Sequence, residues 1–173
     1  MISKKVEKAI NEQIKKEEYS SRLYLAMASW CHANGYPGAA AFLYKHADEE
    51  RMHQLKFVHY LNDRNGYAVL EPVEQPPFTF KALLDIFKDI LKHEEFITAS
   101  INELYHLSVS EKDYTTANFL QWYITEQLEE ENLVNSILDQ MNLVGTDKMG
   151  LFHIDKELGG KAGPAPAATP DAT

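Results

Sequence analysis

The chain has 173 residues, of which 45% are hydrophobic and 25% are charged, and its formal net charge at pH 7 is −9. This length predicts one domain with a substantial core, and the acidic balance argues against nucleic acid and anionic membrane surfaces as partners. No apolar run approaches the ~18 residues of a membrane span, and the first residues lack a secretory signal, so we expect a cytoplasmic protein.

Five segments are predicted to be helical, and none shows the alternation that is typical of a strand. In chain order they cover about Ser3–Asn34, Ala39–Asn65, Phe80–Leu107, Tyr114–Leu143 and Asp147–Leu158. The residues that follow, up to Thr173, are rich in glycine, alanine, proline and threonine and predict a disordered tail. We therefore assign residues 1–160 to one domain and residues 161–173 to the tail.

Each of the first four segments carries an apolar stripe that becomes polar at its centre. The polar residues of the four stripes are Glu17 in the first, Glu50 and His53 in the second, Glu94 in the third, and Gln127 and Glu130 in the fourth. Burying several carboxylates without a counter-charge is prohibitively costly. Because a Glu-x-x-His pair on one helix face can close on a single metal ion, the pattern predicts a metal centre built by four helices.

The polar positions repeat between the two halves of the chain. Glu17 and Glu50 are 33 positions apart, as are Glu94 and Gln127, and a shift of 77 positions takes the first pair onto the second. The same shift takes His53 onto Glu130. We interpret the halves as two helical hairpins related by a pseudo-twofold axis.

The connections between the segments set the topology. The link from Gly66 to Thr79 has 14 residues, three of them proline, and no helical pattern. Fully extended it reaches ~46 Å, which exceeds the ~40 Å length of the second segment. We therefore expect an all-α four-helix bundle with one long crossover and a short fifth C-terminal helix. The fifth helix is apolar on more than one side, so we expect it to pack against symmetry mates; docking on its own bundle is the alternative.

The polar residues suggest two adjoining metal sites. Glu17, Glu50 and His53 can form one, and Glu94 and Glu130 can form a second that shares Glu50. Carboxylates with a single imidazole favour iron or manganese over structural zinc. Two such metals ~3.5–4 Å apart suit two-electron reduction of O₂ or peroxide.

Gln127 makes the two halves of the centre unequal. An amide is a poor ligand for a hard cation, so we expect Gln127 to orient a bridging oxygen or a water instead. The second site should then bind iron more weakly, which favours passing iron through over holding it as a permanent cofactor.

Several motifs resemble those of the non-haem bacterial ferritins, between Met1 and about Gly160. They lie at Glu17–Ser21, Gly38–Leu43, Glu49–His53, Asn118–Tyr123, Glu126–Glu131 and Phe152–Leu158. The resemblance implies a ferritin-like fold and a homo-oligomeric, hollow 24-subunit cage that stores ferric mineral. It also implies ferroxidase activity in each subunit, with Fe(II) and O₂ or H₂O₂ as substrates.

The resemblance also implies which residues bind iron. The two irons of the ferroxidase centre would be bound by Glu17, Glu50 and His53 and by Glu50, Glu94 and Glu130. A third, nearby site would use Glu49, Glu126, Glu129 and Glu130. Tyr24 would lie beside the centre as an electron donor or hydrogen-bond partner, although its spacing also fits a core tyrosine. Trp122 is a second redox candidate, and it could equally be a bundle or interface residue.

Two further features of the resemblance concern haem and pores. The related bacterioferritins bind haem through a methionine directly after the ligand glutamate, where this chain has Arg51, and we therefore expect no haem. Threefold pores in the family form near the junction of the third and fourth helices, which places Asp113 among the residues that could line one.

Two other functions stay open at this stage. One is a non-storage di-iron oxidase or peroxidase, against which Gln127 and the fifth segment speak. The other is a helical scaffold without metal chemistry, which would require that all four apolar stripes became polar at their centres by coincidence. Cys31 is the only cysteine, which excludes rubrerythrin-like proteins because they need a cysteine-ligated iron.

Overall fold

The computed structural model describes residues 2–163, and within them the chain forms five helices and no strand. The helices are α1 (Lys4–Ala33), α2 (Pro37–Asp63), α3 (Leu83–Ser110), α4 (Tyr114–Val144) and α5 (Lys148–Ala162). The predicted all-α class and the five-helix order are confirmed. None of the described helices combines the length and apolar character that crossing a membrane requires.

The helix starts follow from local chemistry. Ser3 caps α1 with its hydroxyl, which accepts from the Val6 N–H at 3.3 Å. Helix α2 begins two residues earlier than predicted, at Pro37, because proline at the first helical position has no N–H that needs a partner. Helix α3 begins three residues later than predicted, at Leu83, since the preceding Ala82 is in an extended conformation.

The first four helices form a bundle of two hairpins. Helix α1 packs mainly on α2, α3 packs mainly on α4, and α1 also contacts α3. The long link between α2 and α3, residues 64–82, has no helix or strand. This arrangement is the predicted four-helix bundle with one crossover and a short C-terminal helix.

The bundle has two separate apolar cores. One includes Leu43 and Phe87 near one end, and the other includes Phe57 and Leu120 near the other end. The polar centres of the four stripes lie between them, so the interior is apolar at both ends and polar in the middle. This layering places the candidate site inside the bundle.

Helix α5 docks against the start of α2. Asp155 is buried and accepts hydrogen bonds from the backbone N–H groups of Gly38 at 3.1 Å and Ala39 at 2.8 Å. The face bearing Met149 and Phe152 stays exposed. Docking on its own bundle, the alternative interpretation of this segment, therefore holds for one face of α5. The helix also continues four residues past the predicted Leu158, and tail residues 164–173 lie outside the described residues.

Candidate metal centre

Six polar side chains from α1, α2, α3 and α4 lie in the layer between the two apolar cores. They are Glu17, Glu50, His53, Glu94, Gln127 and Glu130, and none is more than 8% exposed. Every one of these residues was predicted to face inward. The sequence could predict their inward position because helical periodicity shows which residues share the buried face of a helix.

The first group of ligand atoms is compact. Glu17, Glu50 and His53 each offer an atom within 4.8 Å of the other two. His53 Nδ1 lies 3.6 Å from Glu50 Oε2. Gln13 Nε2 donates to Glu17 Oε1 at 2.7 Å, and the Tyr123 hydroxyl donates to the His53 carbonyl at 2.8 Å. Two carboxylates with one imidazole fit a divalent iron or manganese ion.

Glu94 is held by two neutral donors. One of its carboxylate oxygens accepts from the Tyr24 hydroxyl, and the other accepts from Gln127 Nε2 at 3.0 Å. Tyr24 is therefore a hydrogen-bond partner at the centre, and its role as an electron donor stays a prediction. Gln127 directs its amide nitrogen at a carboxylate, and its role in orienting a bridging oxygen also stays a prediction.

Glu130 belongs to a second compact group of ligand atoms, which was not predicted from the sequence. Its ligand atom and those of His46 and Glu49 all lie within 4.8 Å of one another. His46 Nδ1 is 3.3 Å from Glu49 Oε2 and 3.6 Å from Glu130 Oε2. Among residues 2–163, the predicted second set of Glu50, Glu94 and Glu130 does not gather within that distance, and Glu94 instead accepts hydrogen bonds from Tyr24 and Gln127.

His46 is the residue that the sequence reasoning missed as a possible ligand. It lies four positions before Glu50, so the two side chains share one face of α2. The available signal was its spacing: His46 precedes Glu49 by three positions, so the two side chains are neighbours on the helix. The same spacing joins Glu50 to His53.

The four residues predicted for a third site line a pocket between α2 and α4. The pocket has a volume of about 330 Å³, and its lining includes all four predicted ligands, Glu49, Glu126, Glu129 and Glu130, together with His46. Glu126 also approaches the first group, since its Oε1 is 3.8 Å from His53 Nε2. Glu126 therefore adjoins both predicted locations.

Burial disfavours the charged form of the carboxyl groups in this interior. Burial, and then the neighbouring Glu50, raises the pKa of Glu17 well above its ordinary value. Burial, and then Glu94, raises the pKa of Glu50 in the same way. Burial and repulsion by Glu94 raise the pKa of Glu130 to about 8. A bound divalent cation would offset these costs and release the protons.

Burial has the opposite consequence for the imidazole of His46. It lowers the pKa of His46 to about 4. The ring is therefore neutral at pH 7, and a neutral imidazole nitrogen is the form that binds metals.

Trp122 lies beside the first group without entering it. The residue is 38% exposed, and its ring meets the His53 ring edge-on, with the centroids 5.2 Å apart. The Lys56 ammonium group lies 3.1 Å from the Trp122 ring centroid. These contacts account for Trp122 as a packing residue of the groove between α2 and α4, and its redox role stays a prediction.

Asp113 is occupied by structural contacts. Both of its carboxylate oxygens accept from Arg64 Nη2, at 3.0 and 3.1 Å, and one of them caps α4 by accepting from the Thr116 N–H at 3.1 Å. Its side chain is 10% exposed. Asp113 therefore holds the α3–α4 junction to the end of α2. Its role in lining a pore stays a prediction.

Comparisons with known proteins agree with this architecture. A family model described as a ferritin-like domain matches residues 7–144. The bacterial non-heme ferritin of Campylobacter jejuni is 49% identical over 156 residues, which cover 90% of this chain and 93% of the relative. The bacterial non-heme ferritin of Escherichia coli O157:H7 is 44% identical over 158 residues, covering 91% and 96%. A crystal structure of an open-pore ferritin from Archaeoglobus fulgidus superposes with a TM-score of 0.91 at 40% identity, covering 92% of this chain and 98% of that one.

Proposed function

The chain belongs to the ferritin-like domain family, and from that premise we propose that it oxidises Fe(II) to Fe(III) inside its helical bundle and stores the ferric product as a mineral. One observation carries this proposal. Glu17, Glu50 and His53 present ligand atoms within 4.8 Å of one another in an interior where unpaired carboxylates are costly. The relatives whose names include bacterial non-heme ferritin support the same function.

In this proposal iron is the substrate and passes through three sites. The first Fe(II) binds to Glu17, Glu50 and His53. The second binds to Glu50, Glu94 and Glu130, and Glu94 turns one oxygen from Gln127 to reach it while Tyr24 continues to hold the other. The third binds in the pocket lined by Glu49, Glu126, Glu129 and Glu130, where His46 is an additional ligand.

The chemistry requires two electrons for each O₂ that is reduced to H₂O₂. Two Fe(II) ions give up one electron each, and O₂ takes up both electrons together with two protons. Burial raises the pKa values of the Glu50 and Glu130 carboxyl groups, which favours their protonated forms before iron binds. Iron binding releases these protons within the site, where O₂ needs them.

Storage requires a closed shell, and we propose the 24-subunit cage of the ferritins. Several large apolar side chains are exposed on the single chain, which is typical of surfaces that an assembly buries. Examples are Tyr67 at 74%, Leu70 at 66%, Tyr114 at 67% and Leu143 at 87% exposed. The cytoplasmic location and the absence of haem stay predictions.

The test combines particle mass with an iron oxidation assay. We expect the purified protein to form a particle of 24 chains and to turn aerobic Fe(II) amber faster than buffer does. Glu50→Ala or His53→Ala should lower the initial rate at least tenfold, while Glu95→Ala, an exposed glutamate beside Glu94, should not.

The same measurements separate the alternatives. A non-storage di-iron oxidase or peroxidase would keep about two irons per chain through gel filtration and carry no mineral. A scaffold without metal chemistry would oxidise Fe(II) no faster than buffer, with or without His53. Either result would contradict the storage proposal.

A further inference from the structure

A chain of hydrogen bonds runs from the surface of α1 to the first iron site. Lys16 Nζ donates to Ser100 Oγ at 2.5 Å, and Ser100 Oγ donates to Gln13 Oε1 at 2.5 Å. Gln13 Nε2 then donates to Glu17 Oε1 at 2.7 Å. The two middle members are buried: Gln13 is 1% exposed and Ser100 is 6% exposed.

All three hydrogen bonds point in the same direction, from the ammonium group towards the carboxylate. Because Ser100 accepts from Lys16, its own hydrogen is directed at the carbonyl oxygen of Gln13. That contact fixes the orientation of the amide, so its NH₂ group faces Glu17. With the amide rotated, the carbonyl oxygen of Gln13 would face the Glu17 carboxylate, and two acceptors would repel. Hydrogen bonds aligned in series also polarise one another, which strengthens the last one.

This arrangement serves only one half of the pseudo-symmetric centre. The shift of 77 positions that takes Glu17 to Glu94 takes Gln13 to Ile90, which has no polar group. Glu94 is held instead by Tyr24 and Gln127. An effect transmitted through Gln13 should therefore reach the first iron site and spare the second.

We propose that Gln13, Ser100 and Lys16 are positioning residues of the first iron site, where they restrain the carboxylate of Glu17 in the orientation that binds the cation. The inference rests on the proposed function, because it concerns the same Fe(II) site. Glu17 has one oxygen held by Gln13, so the carboxylate does not rotate freely. Partners that orient a metal ligand in this way typically change metal affinity by about 10–100-fold.

The test measures cation binding and iron oxidation in the assembled protein. Co(II) is the probe for binding, because its visible absorption reports the coordination of the ion. We expect Gln13→Leu to weaken the first Co(II) bound by about 10–100-fold, to alter its absorption, and to leave the second unchanged. In the oxidation assay KM for Fe(II) should rise, while kcat stays within about twofold.

Two further variants keep the test decisive if Gln13→Leu does not fold. Ser100→Ala should act in the same direction because it frees the Gln13 amide to rotate, and Ser100→Thr should restore wild-type binding because it keeps the hydroxyl. Lys16→Met should give a smaller effect of the same sign. Lys15→Met is the matched control, since Lys15 approaches Glu71 at 3.7 Å and takes no part in the chain.

The outcomes separate this inference from the proposed function. If the wild type binds Co(II) and the Gln13 and Ser100 variants match it in affinity and absorption, the positioning role is refuted and the iron site stands. The positioning role is also refuted if Lys15→Met weakens binding as much as Lys16→Met does. If the wild type binds no Co(II) or Fe(II) in the bundle, the proposed function itself fails.

Discussion

The hydroxyl of Tyr24 donates a hydrogen bond to the carboxylate of Glu94, 70 positions away in the sequence. The two side chains are 2% and 1% exposed, and they join α1 to α3 in the middle of the bundle. Burial raises the pKa of Tyr24 well above its ordinary value, so the phenol keeps its proton and stays a donor at neutral pH. Glu94 is thereby fixed before any cation arrives.

Tyr24→Phe should weaken the second iron site. The substitution removes one of the two donors that hold Glu94, and we expect about a tenfold loss of affinity for the second cation. Anaerobic calorimetric titration with Fe(II) measures this change. Tyr123→Phe is the control, because Tyr123 is also buried but donates to the His53 carbonyl instead. Equal losses in the two variants would contradict a specific role for Tyr24.

Cation binding should become stronger as the pH rises from 6 to 8. Burial raises the pKa of Glu130 to about 8, so the metal-free carboxyl group is protonated over most of this range. Lower pH favours the protonated form, which competes with the cation, and higher pH removes that competition. Titration with Zn(II) at pH 6.5, in buffers of different ionisation enthalpy, should show protons released on binding. Binding without proton release would contradict the raised pKa.

The same shift predicts the pH dependence of folding. A raised pKa in the folded state adds stability in acid, and this stability is lost as the pH rises from about 4.5 to 8. The stability of the metal-free wild type relative to Glu130→Gln should therefore fall across that interval. Urea unfolding at several pH values measures the difference.

His46→Gln should remove the third cation and spare the first. The pKa of His46 is lowered to about 4 by burial, so the neutral ring can bind a metal at pH 7. We expect the cation stoichiometry of the assembled protein to fall by one per chain. His59→Gln is the control, because His59 is an exposed histidine on the same helix. An unchanged stoichiometry would exclude His46 from the site.

Asp155→Ala should loosen α5 from the bundle. The carboxylate accepts from two N–H groups in the first turn of α2, a position where negative charge is also favoured by the helix dipole. We expect a loss of about 1–3 kcal/mol. Hydrogen exchange of the α5 amides should rise while that of the α1 amides stays unchanged. The exposed Asp139 provides the control as Asp139→Ala.

The sequence predicted the bundle and its polar layer because both depend on helical periodicity. The pattern of a single helix is enough to identify a carboxylate at the centre of an otherwise apolar stripe, and Glu17 and Glu94 are two examples. The two apolar cores follow from the same stripes. The long crossover followed from the link between residues 66 and 79, which has no helical pattern and whose extended reach exceeds the length of the second segment.

Pairings between helices could not be read from any one stripe. The contact of Tyr24 with Glu94 depends on the rotation of α1 against α3, and the grouping of His46 with Glu130 depends on the packing of α2 and α4. The contact of Asp155 with Gly38 is of the same kind. A Cβ added at Gly38 would lie 1.8 Å from the Asp155 carbonyl oxygen, so α5 can dock closely only because residue 38 is glycine. Nothing in the local pattern at Gly38 reveals this constraint.

Anomalous diffraction at the iron edge, from crystals soaked in Fe(II) without oxygen, is the most direct test of the iron centre. We expect one peak among Glu17, Glu50 and His53 and a second beside Glu94 and within reach of Glu50. Crystals that take up iron elsewhere while the space among these side chains stays empty would contradict the account.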